Sequence, residues 1–416
     1  TGLARRGKTA LMVWQKARQV GTLTTSTRIV MNIRRAKPRL KSGLFAVIAA
    51  CLPAMAAAGP MYTAVDLGTL PGSLNTIGLA INSSGQITGY AGMATGAIHA
   101  FLYSAGALTD LGTLGGTYGQ GSSINASGQI AGVSSTVGGA VRAFLHSGGV
   151  MTDLGTLGGT ESRAQGINVS GQVTGNADTA GGAPAPRAFL YSRGVMTDLG
   201  TLGGPYSYGQ SINDSGQVTG YAYTARGAVR AFLYSGGAMT DLGTLGGSYS
   251  FGMAINASGQ ITGNADTAGD AARHAFLYSG GAMTDLGTLG GRDSSGLGIN
   301  ASGQVTGAAF AAGELERAFL YSGGTMYDLN TLLAPGLGST LNEALGINDS
   351  GQIVAVAYDA SGLSRTYLLT PVSNATVPEP GSLPLLAAAL GGLVVLRRKA
   401  PCPTFLCNAL SSTNTW

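Results

Sequence analysis

One phrase recurs through most of this chain and leaves few folds open to it. Asp-Leu-Gly-Thr-Leu starts at Asp66, Asp110, Asp153, Asp198, Asp241 and Asp285, and a looser copy, Asp-Leu-Asn-Thr-Leu, starts at Asp328. Neighbouring copies lie 43 to 45 residues apart, the length of one supersecondary unit stacked beside its copies. Two further phrases keep the same step. Ile-Asn-x-Ser-Gly-Gln has its Asn at Asn82, Asn125, Asn168, Asn213, Asn256, Asn300 and Asn348. Ala-Phe-Leu-Tyr-Ser begins at Ala100, Ala143, Ala188, Ala231, Ala275 and Ala318, with a degraded seventh copy in Arg365-Thr366-Tyr367-Leu368-Leu369. The chain enters on the first phrase and leaves on the third.

Each phrase has a local meaning. In Ile255 to Gly263 two short strands flank a turn in which Asn, Ser and Gly supply side-chain hydrogen bonds and positive φ. Ala275-Phe276-Leu277-Tyr278 and Met283-Thr284-Asp285-Leu286 flank Gly280-Gly281, a pair suited to a two-residue hairpin turn. Phe and Tyr point one way in that strand and Ala and Leu the other, so both faces are apolar and both need cover. Four short strands per unit, covered on both sides by neighbouring units, predict an all-β fold: a seven-bladed β-propeller of ~44-residue repeats over 59–372. A β-solenoid is the alternative. With blades phased from the Ile-Asn strand, the last blade has three strands of its own. Tyr62 to Leu70 then supplies the fourth and closes the ring, leaving no open edge. Seven self-contained blades are the other phase open to this spacing.

Hairpin register adds a finer expectation. With Gly236-Gly237 as the turn, Phe232 sits opposite Asp241, and Arg230 lies diagonally from that Asp on the same face. The same spacing gives His99 with Asp110, Arg142 with Asp153, Arg187 with Asp198, His274 with Asp285 and Arg317 with Asp328. In the closing blade it gives Arg365 with Asp66, from opposite ends of the domain. These are expected to be structural ion pairs.

Charge is divided along the chain. The formal +5 comes from the ends, because Arg5 to Lys41 hold eleven basic residues and Arg397, Arg398 and Lys399 three more. Between Gly59 and Thr376 stand ten Arg, no Lys and eighteen acids, a formal −8, which disfavours nucleic acid as a partner. The absence of Lys from this stretch excludes a phosphate-loop or Schiff-base Lys there. No His-Glu-x-x-His or Gly-x-Ser-x-Gly occurs. The three histidines fall in different units, His146 in place of a strand Tyr. No spacing singles out two of Glu161, Glu314, Glu316 and Glu343 as a carboxylate pair. Asn-x-Ser-Gly lacks the carboxylates of a tight calcium loop. No metal or cofactor is expected. One feature suggests a ligand: the stretches after Asp-Leu-Gly-Thr-Leu, read as loops on one rim, carry Tyr118, Tyr206, Tyr208, Tyr249 and Phe251. Such rings either stack on sugar faces or hold the loops down.

Both ends carry addresses. Residues 1–30 are expected to be upstream of a start at Met31. From there Arg34, Arg35, Lys37, Arg39 and Lys41, an apolar core from Gly43 to Leu52 and an Ala-x-Ala site make 31–58 an export signal. Ile48 to Cys51 also resembles a lipoprotein box, the less favoured alternative. Cys51, Cys402 and Cys407 lie outside the repeats, so packing alone must stabilise them. His99-Ala100-Phe101 and His274-Ala275-Phe276, with their Leu-Tyr-Ser and Asp-Leu-Gly-Thr-Leu-Gly-Gly continuations, resemble the bacterial extracellular HAF-repeat family over about residues 61–370. Five copies have Arg for His, so that position is no essential ligand here. Val377-Pro378-Glu379-Pro380, the apolar run Gly381 to Leu396 and Arg397-Arg398-Lys399 are similar to a PEP-CTERM sorting signal over 373–399. That resemblance implies an exosortase-type processing enzyme, transient membrane contact and a Gram-negative cell surface with exopolysaccharide. A plain C-terminal anchor is the alternative, and 400–416 has no assignment. The expectation is an exported binding or structural module of the cell surface or matrix, with exopolysaccharide or surface proteins as partners. A polysaccharide lyase or hydrolase and a passive spacer are the alternatives.

Overall fold

Residues 61–181, 185–358 and 363–372 are described by the computed structural model of the chain. The expectations for 1–30, 31–58, 373–399 and 400–416 lie outside these described residues, as do the three cysteines.

The fold builds outward from the Asn turn. In all seven copies Asn Oδ1 accepts the backbone N–H of the Gln four residues on, at 2.9–3.0 Å. Its Nδ2 donates to that Gln's Oε1 at 2.8–2.9 Å. This fixes a turn between the first and second strands of each unit. In six copies the Gln amide reaches on to the Ser that ends Phe-Leu-Tyr-Ser or its Phe-Leu-His-Ser variant, such as Gln86 to Ser104 at 3.1 Å, tying the third strand to the same turn. The Gly-Gly hairpin then supplies the fourth strand, in the expected register: Phe232 faces Asp241 and Phe276 faces Asp285.

Seven four-stranded antiparallel blades result. Blades 1 to 6 are 73–112, 115–153, 158–198, 203–241, 246–285 and 290–328. Blade 7 consists of Leu341–Ile347, Ile353–Tyr358 and Ser364–Pro371, with Tyr62–Asp66 as its outermost strand. The pairing of that strand runs from Tyr62 opposite Pro371 to Asp66 opposite Tyr367. The chain therefore closes on itself, the phase is the one set by the Ile-Asn strand, and a solenoid is excluded.

A second closure runs around the axis. Asn82 Nδ2 donates to the carbonyl of Asn125, Asn125 to Asn168, and so on through Asn300 to Asn348, which donates back to Asn82, all at 2.9–3.3 Å. All seven Asn are 2–5 % exposed, and a buried amide is tolerated only when its donors and acceptor are used. Because each Asn follows directly on the first strand of its unit, the ring places all seven first strands around the axis, each touching the first strand on either side.

Most of the apolar core is distributed between neighbouring blades. Ala231 and Leu242 of blade 4 and its exit pack with Ile255, Ile261, Ala265 and Phe276 of blade 5, and equivalent clusters recur around the ring. Phe101, Phe144, Phe189, Phe232, Phe276 and Phe319 are fully buried, each contributing roughly 2–3 kcal/mol through apolar area removed from water. Among the described residues no helix is long and apolar enough to cross a membrane.

One local reading needs correction. The Gly- and Ser-rich stretch after Asp-Leu-Gly-Thr-Leu is strand, not loop: the first strand of blade 4 is Gly203–Ile212 and that of blade 5 is Gly246–Ile255. Small residues are needed there because the strand lies against the preceding blade. A Cβ on Gly252 would sit 2.4 Å from Thr219 Oγ1.

Candidate functional site

Each of the seven Asp that open the Asp-Leu-Gly-Thr-Leu phrase or its looser copy closes a turn, and six of them also face a cation. One oxygen accepts the backbone N–H two residues on, at 2.7–2.9 Å, closing a side-chain turn. The other faces the cation from the adjacent strand. His99 meets Asp110 at 2.8 Å, His274 meets Asp285 at 2.8 Å and Arg365 meets Asp66 at 2.9 Å. Arg142 to Asp153, Arg230 to Asp241 and Arg317 to Asp328 are looser, at 3.5, 3.8 and 3.9 Å. Arg187 and Asp198 form no ion pair, and Arg187 Nε is buried without a hydrogen-bond partner. These positions serve the scaffold, and a site must be sought among residues that do not repeat.

Such residues lie on the first strands. Their alternate side chains are buried against the preceding blade: Ser207 Oγ accepts the Ala188 N–H at 2.9 Å and donates to Gly200 O at 2.5 Å. Between them stand side chains on the opposite face of the strand, toward the axis and the following blade. At one register level these are Ile77, Gln120, Arg163, Tyr208, Phe251, Ser295 and Glu343. Two residues farther from the Asn ring stand Asn75, Tyr118, Glu161, Tyr206, Tyr249 and Asp293. Blades that are near copies elsewhere thus differ at the end of the ring where first strands begin and second strands end, called the mouth below. Aligning the seven units and looking for columns that vary would have found this set.

One side of the mouth is aromatic. Tyr208 stacks on Tyr221 at 4.8 Å between centroids, Tyr221 meets Phe251 edge-on at 5.1 Å, and Tyr206 meets Tyr223 edge-on at 5.4 Å. Arg273 lies over the Phe251 ring at 5.1 Å, a cation–π contact. Tyr249 is 41 % exposed. Tyr118 stands apart from this ladder, on the first strand of blade 2, with its hydroxyl bonded to Gln120 Oε1 at 2.7 Å. Of the five aromatics expected on one rim, the structure brings Tyr206, Tyr208 and Phe251 into one assembly. It also adds Tyr221 and Tyr223 from second strands, which the sequence reading did not include. Burial raises the phenols of Tyr208 and Tyr221 above the usual tyrosine range.

The blades that follow, 6 and 7, bring acids to the mouth. Glu343, on the first strand of blade 7, is pushed up to about 7 by burial, helped by the charge of Glu316 from the third strand of blade 6. Burial raises Glu316 as well. The Glu316 main-chain carbonyl accepts from Asn342 at 3.4 Å, and Asn342 Oδ1 in turn accepts the Tyr358 N–H at 3.1 Å. The phenols of Tyr90 and Tyr358 are raised by burial and then by the Glu343 charge. Among the described residues no cation lies within ion-pair distance of Glu316 or Glu343. On blade 3 Arg163 pairs with Glu161 at 2.8 Å, and on blade 5 Arg273 pairs with Asp266 at 2.7 Å. No group of three or more potential metal ligands occurs among the described residues.

No family model matches the chain. Neither does any curated protein. Among solved structures, the chain is similar to a puromycin-hydrolyzing peptidase of Mycobacterium tuberculosis, at 10 % identity and a TM-score of 0.49, over 76 % of this chain and 57 % of that one. It is similar to TolB from Acinetobacter baumannii at 12 % identity and a TM-score of 0.36, over 66 % of this chain and 76 % of that one. It is also similar to an Aleuria aurantia lectin variant in complex with alpha-methyl-L-fucoside, at 13 % identity and a TM-score of 0.33, over 77 % of this chain and 97 % of that one. The chain thus spans little more than half of the peptidase's length. Its seven four-stranded blades, set in a closed ring, define it as a β-propeller.

Proposed function

We infer that the protein is an exported binding module that holds a glycan chain across the mouth of its propeller. One observation carries the reading: near-identical blades diverge where an aromatic ladder and polar side chains share one end of the axis. Seven equal blades need no such divergence for stability. Tyr206, Tyr208 and Phe251 offer flat apolar faces, and Gln210, two residues on from Tyr208, and Asn264, opposite Phe251, offer amides, the mixture that a ring of CH and OH groups can use. The resemblances to HAF repeats and to a PEP-CTERM signal supply the address, a Gram-negative cell surface reached through an exosortase-type enzyme. They also make exopolysaccharide the nearest ligand.

Binding of the protein to a glycan array and to the producer's own exopolysaccharide tests this, with a Tyr206→Ala, Tyr249→Ala variant beside it. Each lost ring is expected to weaken saturable binding about tenfold. A folded protein that binds no glycan leaves a structural spacer or a protein partner. A second reading is favoured by Glu316 and Glu343: a raised carboxyl beside a second carboxyl and two phenols is a general acid–base arrangement. Release of oligosaccharides from a bound polymer, lost in Glu343→Gln, would establish cleavage.

A further inference from the structure

The charges of the mouth are unequal. Its cations are already engaged, Arg163 by Glu161, Arg273 by Asp266, Arg292 by the Ala271 carbonyl and Arg317 by the Glu316 carbonyl. Asp178 accepts from Thr160 Oγ1 at 3.1 Å, and Asp293 accepts the Arg273 N–H at 2.7 Å. Among the described residues Glu316 and Glu343 have no ion-pair partner. These two carboxyls stand at one end of a domain whose formal charge is −8. A carboxylate-bearing chain would meet repulsion at the mouth and in approach, whereas a cationic chain would be steered in.

A second observation comes from the closing blade. Ser364 stands opposite Tyr358 on the same sheet face as Glu343. It is 3 % exposed, and its hydroxyl has no hydrogen-bond partner. A buried hydroxyl left unpaired costs about 1–3 kcal/mol, and a donor reaching it would remove that cost. The aromatic ladder completes the fit, because a protonated amino sugar offers its CH face for stacking and its ammonium for the ring quadrupole.

We propose that the glycan held at the mouth carries free amino groups, a glucosamine-type polymer whose ammonium groups pair with Glu343 and Glu316 while its rings lie along the aromatic side. This rests on the glycan reading above and assigns it a substrate class. The groups that face Glu343 are Glu316 on blade 6, Tyr358 on its own blade and Tyr90 on blade 1. Asp293, on the first strand of blade 6, is held by the Arg273 N–H, and the first strand of blade 1 brings no titratable side chain. Since Glu343 sits at about 7 in the free protein, pairing it with an ammonium lowers it and releases a proton near neutral pH.

Calorimetric titration of the full-length protein near neutral pH tests this, with the glucosamine hexamer, the N-acetylglucosamine hexamer and an oligogalacturonate as probes. The free-amine hexamer is expected to bind at least about tenfold tighter than the acetylated one, the scale of one charge-assisted contact. The preference should fall at high salt, and the heat should vary with the buffer's ionisation enthalpy. Glu343→Gln should erase the preference, and Glu316→Gln, if the first variant folds poorly, should reduce it. Equal binding of the two hexosamines, or tighter binding of the oligogalacturonate, overturns the amino-sugar assignment and leaves the glycan reading standing. A folded protein that binds none of the three probes, nor any glycan on the array, overturns both.

Discussion

Replacing Glu343 by Gln removes the one carboxyl that folding displaces from 4.5 to about 7. The folded state holds this proton more tightly than the unfolded state. Its contribution is therefore fully present below the unfolded value of 4.5 and is lost as pH rises through about 7. A displacement of that size corresponds to roughly 3 kcal/mol when the group is fully ionised, and the water that still reaches the side chain brings this to on the order of 2 kcal/mol. Glutamine keeps the shape and cannot ionise. Wild type and Glu343→Gln are thus expected to unfold at similar urea concentrations near pH 4, with the variant ahead by on the order of 2 kcal/mol near pH 8 and the slopes unchanged. The difference curve should have its midpoint between the folded and unfolded values. Glu316→Gln removes the lesser cause and should move wild-type behaviour toward lower pH. A wild type whose stability relative to Glu343→Gln is flat across this range, or rises with pH, would refute the burial argument.

The remaining expectations concern the scaffold. Asn213→Ala removes donors to Gln217 Oε1 at 2.8 Å and Asn256 O at 3.1 Å and leaves a buried carbonyl unpaired. It should lower unfolding free energy by about 3 kcal/mol, read from the denaturant midpoint. Arg365→Ala should cost under about 1 kcal/mol in the same assay, because its pair with Asp66 is exposed, at 58 % and 36 %. Deleting Tyr62 to Asp66 should by contrast abolish cooperative unfolding. His146 stands where five other copies have Tyr, and its Nδ1 is buried without a partner. Burial lowers its pKa, so its neutral form stabilises the fold above the unfolded value of about 6.5 and loses ground as pH falls. His146→Tyr should raise stability by about 1 kcal/mol at neutral pH and by more in mild acid, as measured by thermal melts at the two pH values.

What the sequence made legible was whatever repeats. Asp-Leu-Gly, Asn-x-Ser-Gly-Gln and Phe-Leu-Tyr each encode bonds made within one unit or to the next, so hairpin register and the Arg365 to Asp66 pair were legible before any coordinates, while two blade phases stayed open. Two things escaped. Gly246-Gly247-Ser248-Tyr249-Ser250 has the composition of a loop, yet it is strand, because its small residues answer the close approach of the preceding blade and not the demands of a turn. Glu316 and Glu343 sit on different blades, and nothing in their spacing announces a shared environment that only the stacking of sheets creates. The Arg187 exception escaped for a similar reason: its sequence neighbourhood matches the other copies while its side-chain surroundings do not.

The circuit of asparagines makes the number of units an integer that the fold checks. Each amide is handed to the next carbonyl, and the last must find the first, at 2.9 Å from Asn348 to Asn82. A gene built of near-identical segments tends to lose or gain whole segments by recombination, and every local bond within a unit survives such an event. The circuit does not survive it unchanged. With six or eight units the angle between neighbouring blades must change, and all the inter-blade Phe and Leu contacts must repack together. Copy number is thereby under selection through folding itself. The strand borrowed from the N-terminal side reads out the same count a second time, since it completes a blade only when the final unit arrives beside it.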